Sequence, residues 1–152
     1  MTGTVRWYEV VAGAPSLAGA VRARFEAGRH KTLATVRRDG APRVNGTETT
    51  FTDEDVTLGM MPGSVKLADV GRDPRVALHS PSCDPDPDDE SAWPGEAKLA
   101  GTLVRTSTDE DGAGHFRLEI TEVVLTRIGE PANHLVVESW HPGRGYTRRR
   151  RD

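Results

Sequence analysis

Residues 33–60 read LATVRRDGAPRVNGTETTFTDEDVTLGM, and they carry the most regular pattern in the chain. Two extended segments flank Asp39-Gly40, a dipeptide that favours a tight hairpin turn. The second segment, about 42–51, is rich in Thr and Val, which favour strands because they branch at Cβ. A third segment with alternating apolar residues follows at 56–60. The stretch therefore predicts successive strands joined by tight turns.

Further strand segments continue the pattern toward the C-terminus. A strand is predicted around Val76 and Leu78, and later strands are expected at about 96–105, 115–127 and 134–140. Upstream, apolar residues recur about once per helical turn over 16–28, which predicts one helix with Ser16 as its N-cap and Gly28 at its end. Many short strands with few helices predict a mainly β fold, either an antiparallel barrel or a sandwich.

Length and charge limit the class of protein. The chain has 152 residues, which is about the size of one domain. Its 20 Lys+Arg against 23 Asp+Glu argue against obligate binding to bulk nucleic acid. No apolar run approaches the roughly 18 residues that a membrane helix needs, and no secretory signal is visible at the N-terminus. A single cysteine, Cys83, excludes an intrachain disulfide and fits a reducing compartment. We therefore expect one cytoplasmic domain, 1–152.

Two segments differ from the expected core, 16–142. The loop 82–94 contains clustered acids and prolines, which cannot form a core, so we expect it to be exposed. The basic tail 143–152 contains four consecutive arginines, Arg148–Arg151. For this tail a solvated, frayed end is favoured over a phosphate-binding arm.

The segment 60–70, MMPGSVKLADV, is the best candidate for a binding site. A strand ends, Pro-Gly turns the chain, and Ser64 stands where a short helix would begin. Helix starts attract anions through free N–H groups and the helix dipole, and Lys66 adds a full positive charge. Two interpretations stay open, a phosphate cradle and a capped surface helix with an exposed lysine. The five histidines are scattered without metal-ligand spacing, so no metal site is predicted.

Three stretches of the sequence together resemble a known family. They are TLATVRRDGAPRVNGTETTF at 32–51, VTLGMMPGSVKLADVGRDPRVALHS at 56–80 and GEAKLAGTLV at 95–104. Their order and spacing resemble the pyridoxamine 5'-phosphate oxidase-like, FMN-binding split-barrel family, in particular the actinobacterial branch related to F420-dependent oxidoreductases. The resemblance covers about 16–142, and the closing ESWHPGRG at 138–145 is similar to endings seen in this branch.

The resemblance implies a six-stranded antiparallel split barrel that forms a homodimer, with two flavin sites at the subunit interface. It implies that residues 45–47 line the ring or ribityl chain, that Ser64 and Lys66 hold the phosphate, and that Arg43 supplies charge near the ring. Two methionines would lie near the ribityl chain and phosphate, and the end of the fourth strand would contribute less. The complete implied set is Arg43, Asn45, Gly46, Thr47, Met60, Met61, Ser64, Lys66, His79 and Ser80.

Two departures from the family pattern bear on function. Thr50 and Val65 stand where oxidases of pyridoxamine phosphate usually have basic residues, so two expected phosphate contacts are missing. The resemblance therefore implies an FMN- or F420-dependent oxidoreductase acting on an unidentified small molecule, and not a true pyridoxamine phosphate oxidase. The alternative is a dimeric module that binds flavin without catalysis or holds no cofactor. A nucleic-acid partner for the arginine tail is the least favoured hypothesis.

Overall fold

Nine strands form one antiparallel sheet in the computed structural model, which describes residues 3–152. The helices are α1 (Trp7–Gly13), α2 (Pro15–Glu26) and α3 (Val65–Arg72), with a 3-10 turn at Glu90–Ala92. The strands are β1 (Lys31–Val36), β2 (Pro42–Thr47), β3 (Thr50–Phe51), β4 (Val56–Met60), β5 (Arg75–His79), β6 (Glu96–Thr108), β7 (Gly114–Ile128), β8 (Leu135–His141) and β9 (Gly145–Arg151). The mainly β class predicted from the sequence is confirmed.

The predicted hairpin forms around Asp39-Gly40. Gly40 adopts φ +85°, a conformation that glycine tolerates because it lacks a Cβ. The Asp39 carboxylate accepts a hydrogen bond from the backbone N–H of Ala41 at 3.0 Å. This turn sets the register between β1 and β2, in which Thr35 lies opposite Arg43.

The predicted second strand, 42–51, is in fact two strands, because the chain leaves one ladder and joins another. β2 pairs with β1, whereas β3 pairs with β4. Phe51 turns into the core there and packs edge-on against Trp7, with ring centroids 5.1 Å apart. This break, together with the additional β8–β9 ladder, explains why the count of six strands was wrong while the fold class was right.

The order of the sheet leaves an opening at β2. The hydrogen-bonded path runs β2-β1-β5-β6-β7-β4-β3, and β8 and β9 extend the sheet from β7. Within residues 3–152 no ladder joins β2 to β3, although only two residues separate them along the chain. We call the space at this free edge of β2, beside the start of α3, the split.

The core begins earlier than the expected residue 16. Trp7 and Val10 of α1 are fully buried with Val21 and Phe25 of α2, and both helices cover one face of the sheet. Ser16 is not the N-cap of α2, because the helix starts at Pro15 and Ala14 occupies the cap position. Proline suits the first helical position since its missing N–H would be unpaired there anyway.

The C-terminal tail is a strand and not a frayed end. β9 pairs with β8 over its whole length, from His141 opposite Gly145 to Leu135 opposite Arg151. Its arginine side chains are exposed while its backbone is paired, so composition alone gave the wrong prediction. Within residues 3–152 no helix combines the length and the apolar content that crossing a membrane requires.

Candidate functional site

The start of α3 has the geometry that the sequence predicted. β4 ends at Met60, Gly63 turns the chain with φ +70°, and Ser64 caps the helix. The Ser64 hydroxyl accepts a hydrogen bond from the backbone N–H of Leu67 at 3.4 Å. The remaining N–H groups of the first turn stay available, which makes this end of α3 favourable for an anion.

Lys66 points across the split toward β2. Its Nζ donates a hydrogen bond to the carbonyl oxygen of Gly46 at 3.0 Å. A Cβ on Gly46 would meet nothing within 4 Å, so the space beside this residue is open. The ammonium group, the helix start and the open β2 backbone therefore converge at one place.

Asn45 gives a second, independent indication of a ligand site. It is partly buried opposite Leu33 of β1, and its Nδ2 is buried without a hydrogen-bond partner among residues 3–152. A buried donor left unpaired costs about 1–3 kcal/mol, so an acceptor on a bound molecule would remove that cost. The Thr49 hydroxyl is also buried and unpartnered.

The buried carboxylate of Asp69, on α3, contacts both β1 and β2. Asp69 is 2% exposed, and its carboxylate accepts hydrogen bonds from Thr35 Oγ1 and Arg43 Nε, each at 2.7 Å. Arg72 of the same helix donates to the other carboxylate oxygen at 3.2 Å. Burial acts to raise the pKa of Asp69, but the hydrogen bonds from Arg43, Thr35 and Arg72 outweigh it, so the pKa lies below its usual value.

The Asp69 contacts alter the expectation for Arg43. Its Nε pairs with Asp69, which also pairs with Arg72, so Arg43 orders β2 against α3 within a cluster of two arginines and one carboxylate. Asp69 was not among the residues predicted from the sequence. Thr35 could have indicated such a residue. It lies two residues after Leu33 on the inward side of β1, and a buried hydroxyl needs a buried hydrogen-bond partner.

Met60 and Met61 are not brought to the same site. Met60 is 2% exposed and belongs to the core, whereas Met61 is 75% exposed. Successive residues at a strand end face opposite sides, which explains the difference. Thr47 is also buried, and its hydroxyl lies 3.4 Å from the carbonyl oxygen of Glu48.

His79 and Ser80 lie away from Lys66. Ser80 is 2% exposed, and its hydroxyl accepts a hydrogen bond from the N–H of Ala97, so it links β5 to β6. The His79 ring lies 3.1 Å from a carboxylate oxygen of Glu96. The register places His79 and Gly46 on either side of Thr32, two strands apart, or about 10 Å.

One face of the sheet packs against α1 and α2, and we call the other face the outer face. The outer face bears a shallow groove whose floor consists of small residues. The groove has a volume of about 170 Å³ and crosses β1, β5 and β6. Its lining includes Thr32, Ala34, Ala77, Ala100, His79 and Lys98. Among residues 3–152 no group of three or more His, Cys, Asp or Glu side chains is arranged to hold a metal ion.

Comparisons with known proteins agree on the fold. No family model and no curated protein matches the sequence. A pyridoxamine 5'-phosphate oxidase-related, FMN-binding protein from Nostoc punctiforme has a similar structure, with a TM-score of 0.64 at 12% identity over 91% of this chain and 96% of that one. PhzG from Burkholderia lata, solved with tetrahydrophenazine-1-carboxylic acid, has a TM-score of 0.63 at 12% identity over 97% and 98%.

A third similar structure binds a different group. It is a heme-binding protein from Mycobacterium smegmatis, with a TM-score of 0.59 at 15% identity over 90% of this chain and 88% of that one. At such identities the likeness concerns the fold. The chain has the split-barrel fold of the pyridoxamine 5'-phosphate oxidase-related, FMN-binding proteins.

Proposed function

We propose that this protein binds FMN at the split and transfers a hydride or electrons between the flavin and a small molecule. The observation that carries the proposal is the convergence of Lys66 and the start of α3 with the unpartnered amide of Asn45. A phosphate-bearing ligand with carbonyl groups matches both features, because it brings an anion for the first and an acceptor for the second.

Each residue at the split has a definite task. Lys66 and the N–H groups beside Ser64 bind the phosphate, while Asn45 donates to an oxygen of the ring or the ribityl chain. Gly46 leaves room for that chain to approach the β2 backbone. The bound flavin supplies the redox chemistry, so the protein needs to bind, orient and shield it and requires no acid–base pair of its own.

The two departures from the family pattern predict moderate affinity. Val65 is 56% exposed and apolar, and Thr50 is exposed on β3, so neither adds a cation. Each charge-assisted hydrogen bond to phosphate is worth about 1.5–3 kcal/mol, and two missing contacts weaken binding by a few orders of magnitude. We therefore expect micromolar binding of FMN, and we do not expect oxidation of pyridoxamine phosphate.

A homodimer completes the proposal. The small residues of the outer face and the 69% exposed Val44 leave an apolar surface that a second copy would cover. A two-fold pair is the commonest solution for such a surface. In this arrangement the two flavin sites lie at the subunit interface.

Titration of the purified protein with FMN, followed by the quenching of flavin fluorescence, tests the proposal. Lys66→Ala should weaken FMN binding about tenfold or more, because it removes a charge-assisted contact. Arg38→Ala is the matched control, since it removes one exposed positive charge from the β1–β2 turn. Separate titrations with F420 and with hemin compare the alternative ligands. The proposal is wrong if neither FMN nor F420 binds below about 100 μM and Lys66→Ala changes nothing.

The alternative is a flavin-binding module without catalysis. The pairing of Arg43 with Asp69 favours it, because a paired arginine is less available to stabilise negative charge on a reduced ring. Turnover with reduced nicotinamides or reduced F420 in the presence of FMN distinguishes the two functions. Tight binding without turnover would support the alternative.

A further inference from the structure

The edge strand β9 presents two cations that form no ion pair with any of residues 3–152. Arg149 lies opposite Val137 and Arg151 lies opposite Leu135, so both point to the outer face with these apolar neighbours. Neither forms an ion pair within the described chain, 3–152, whereas Arg150 pairs with Asp152. One edge of β9 is bonded to β8, and no strand within the described part of the chain pairs with the other.

The loop 82–94 presents the opposite charge. It carries five exposed carboxylates, at Asp84, Asp86, Asp88, Asp89 and Glu90. None of them forms an ion pair with a cation among residues 3–152. The loop is tied to itself, because Trp93 Nε1 donates to the carbonyl oxygen of Cys83 at 2.7 Å and Asp88 N–H donates to Asp86 at 2.9 Å. Its carboxylates are exposed, although those of Asp86 and Asp89 also accept hydrogen bonds within the loop.

Strand register places these two surfaces at the same end of the sheet. Glu96, where the loop rejoins the sheet, lies opposite Thr126, which lies opposite Val137, which lies opposite Arg149. Glu96 and Arg149 thus share one row on the outer face, three strands apart, or about 14 Å. Yet the self-tied loop makes no ion pair with β9 of its own chain.

We propose that in the homodimer the acidic loop 82–94 of one copy docks on the β9 arginines Arg149 and Arg151 of the other. The inference rests on the dimer in the proposed function, but it assigns the contact that fixes the partner. In a two-fold dimer any loop–strand contact occurs twice, because each surface meets its complement on the other copy. Each contact joins negative and positive side chains. The two contacts fix how the copies align and which partner is bound, at an interface that otherwise consists of small residues.

A second copy fits the charge pattern better than nucleic acid does. The five acids lie at the same end of the sheet as the arginines and would repel a phosphate backbone brought to β9. Without the loop the chain would carry 20 positive against 18 negative side chains, so the loop supplies the whole negative balance. A second copy of the chain therefore supplies the negative charge that complements the β9 arginines.

Disulfide trapping between two different chains tests which copy the loop contacts. Cys83 is the natural and only cysteine and is exposed at the start of the loop. Wild-type chain is mixed with the double variant Cys83→Ser, Arg149→Cys and oxidised mildly. We expect a covalent heterodimer, and the matched mixture with Cys83→Ser, Arg38→Cys should give none. An intramolecular disulfide in the single variant Arg149→Cys, without any interchain product, would overturn the proposal.

Charge reversal tests the contact without a cross-link. The pair Arg149→Glu, Arg151→Glu should raise the dimer dissociation constant about tenfold or more at low salt, and less at high salt. Adding Asp86→Lys and Asp88→Lys to the same chain should lower the dissociation constant again, but only part of the way, because Asp84, Asp89 and Glu90 of the loop remain. The control pair Arg37→Glu, Arg38→Glu makes the same change in net charge on the β1–β2 turn and should leave the constant within about twofold of wild type.

The outcomes separate this inference from the proposed function. A dimeric wild type whose dissociation constant is unaffected by the β9 reversal overturns the docking contact alone, and FMN titration still tests the site at the split. A wild type that is strictly monomeric overturns the docking contact and the proposed dimer together. Binding of a labelled oligonucleotide that is lost in Arg149→Glu, Arg151→Glu while dimerisation is unchanged overturns the contact in favour of nucleic acid.

Discussion

Asp69 shows how one buried carboxylate connects three elements. It accepts hydrogen bonds from Thr35 of β1, Arg43 of β2 and Arg72 of its own helix. Ion pairs that are buried contribute little net stability when complete, but removing one partner is expensive because charges are left without compensation. Asp69 therefore fixes the distance between α3 and β2, and with it the width of the split.

Replacing Asp69 by Asn should lower the free energy of unfolding by about 3 kcal/mol at pH 7, because Arg43 and Arg72 lose their counter-charge. Urea unfolding of Asp69→Asn beside the control Asp53→Asn, whose side chain is fully exposed, measures the effect. The control should stay close to wild type. An equal loss in both variants would contradict the connecting role of Asp69.

The same substitution should have a pH dependence of known sign. The folded-state pKa of Asp69 is lowered, so its stabilising contribution is present above the unfolded value near 3.9 and is lost as the pH falls through the folded value. We expect the stability difference between wild type and Asp69→Asn to be constant near neutrality and to shrink below about pH 4.

At the scale of elements, the bulge between β6 and β7 shapes the sheet. The register shifts between Ala100 and Gly101, and a Cβ on Gly101 would lie 1.9 Å from the carbonyl oxygen of Glu119. Bulges bend the bulged strand and increase its twist, which a sheet needs in order to curl into a barrel. A residue without a side chain is therefore required at this position.

Two glycine substitutions should change stability in opposite directions. Gly101→Ala should lower the free energy of unfolding by about 3 kcal/mol or more, since the clash is with backbone. Gly19→Ala should raise it by up to about 1 kcal/mol, because Gly19 is an exposed position in α2 with nothing within 4 Å of its Cβ. Thermal unfolding of both variants measures the signs, and a Gly101→Ala variant as stable as wild type would show that the bulge does not need glycine.

At the scale of the whole molecule, the two highly charged segments, β9 and the loop 82–94, differ in how their backbones are hydrogen-bonded. β9 is bonded to β8 over Gly145–Arg151, while the loop 82–94 is held mainly by its own hydrogen bonds. Charge density alone does not distinguish these cases. The presence of a neighbouring strand distinguishes them, because β8 has an edge whose N–H and C=O groups pair with β9.

Hydrogen exchange should reveal this difference. About half of the β9 amides, those directed at β8, should exchange slowly, whereas amides of residues 84–90 should exchange rapidly. Mass spectrometry of peptides covering 84–90 and 145–151 provides the measurement. Equally rapid exchange in both peptides would mean that the tail is frayed, as composition alone suggests.

The sequence by itself determined most of the strands, the Asp39-Gly40 turn and the Ser64-capped helix, because these depend on alternation, turn residues and caps within a few positions. It also indicated Lys66 as the cation near a helix start. The break between β2 and β3, the pairing of β9 and the capture of Arg43 by Asp69 were decided only by the tertiary structure. Each of these depends on a partner far away in the chain, such as Asp69 for Arg43 across 26 positions, and a local pattern carries no information about which distant group will satisfy a buried charge or a free strand edge.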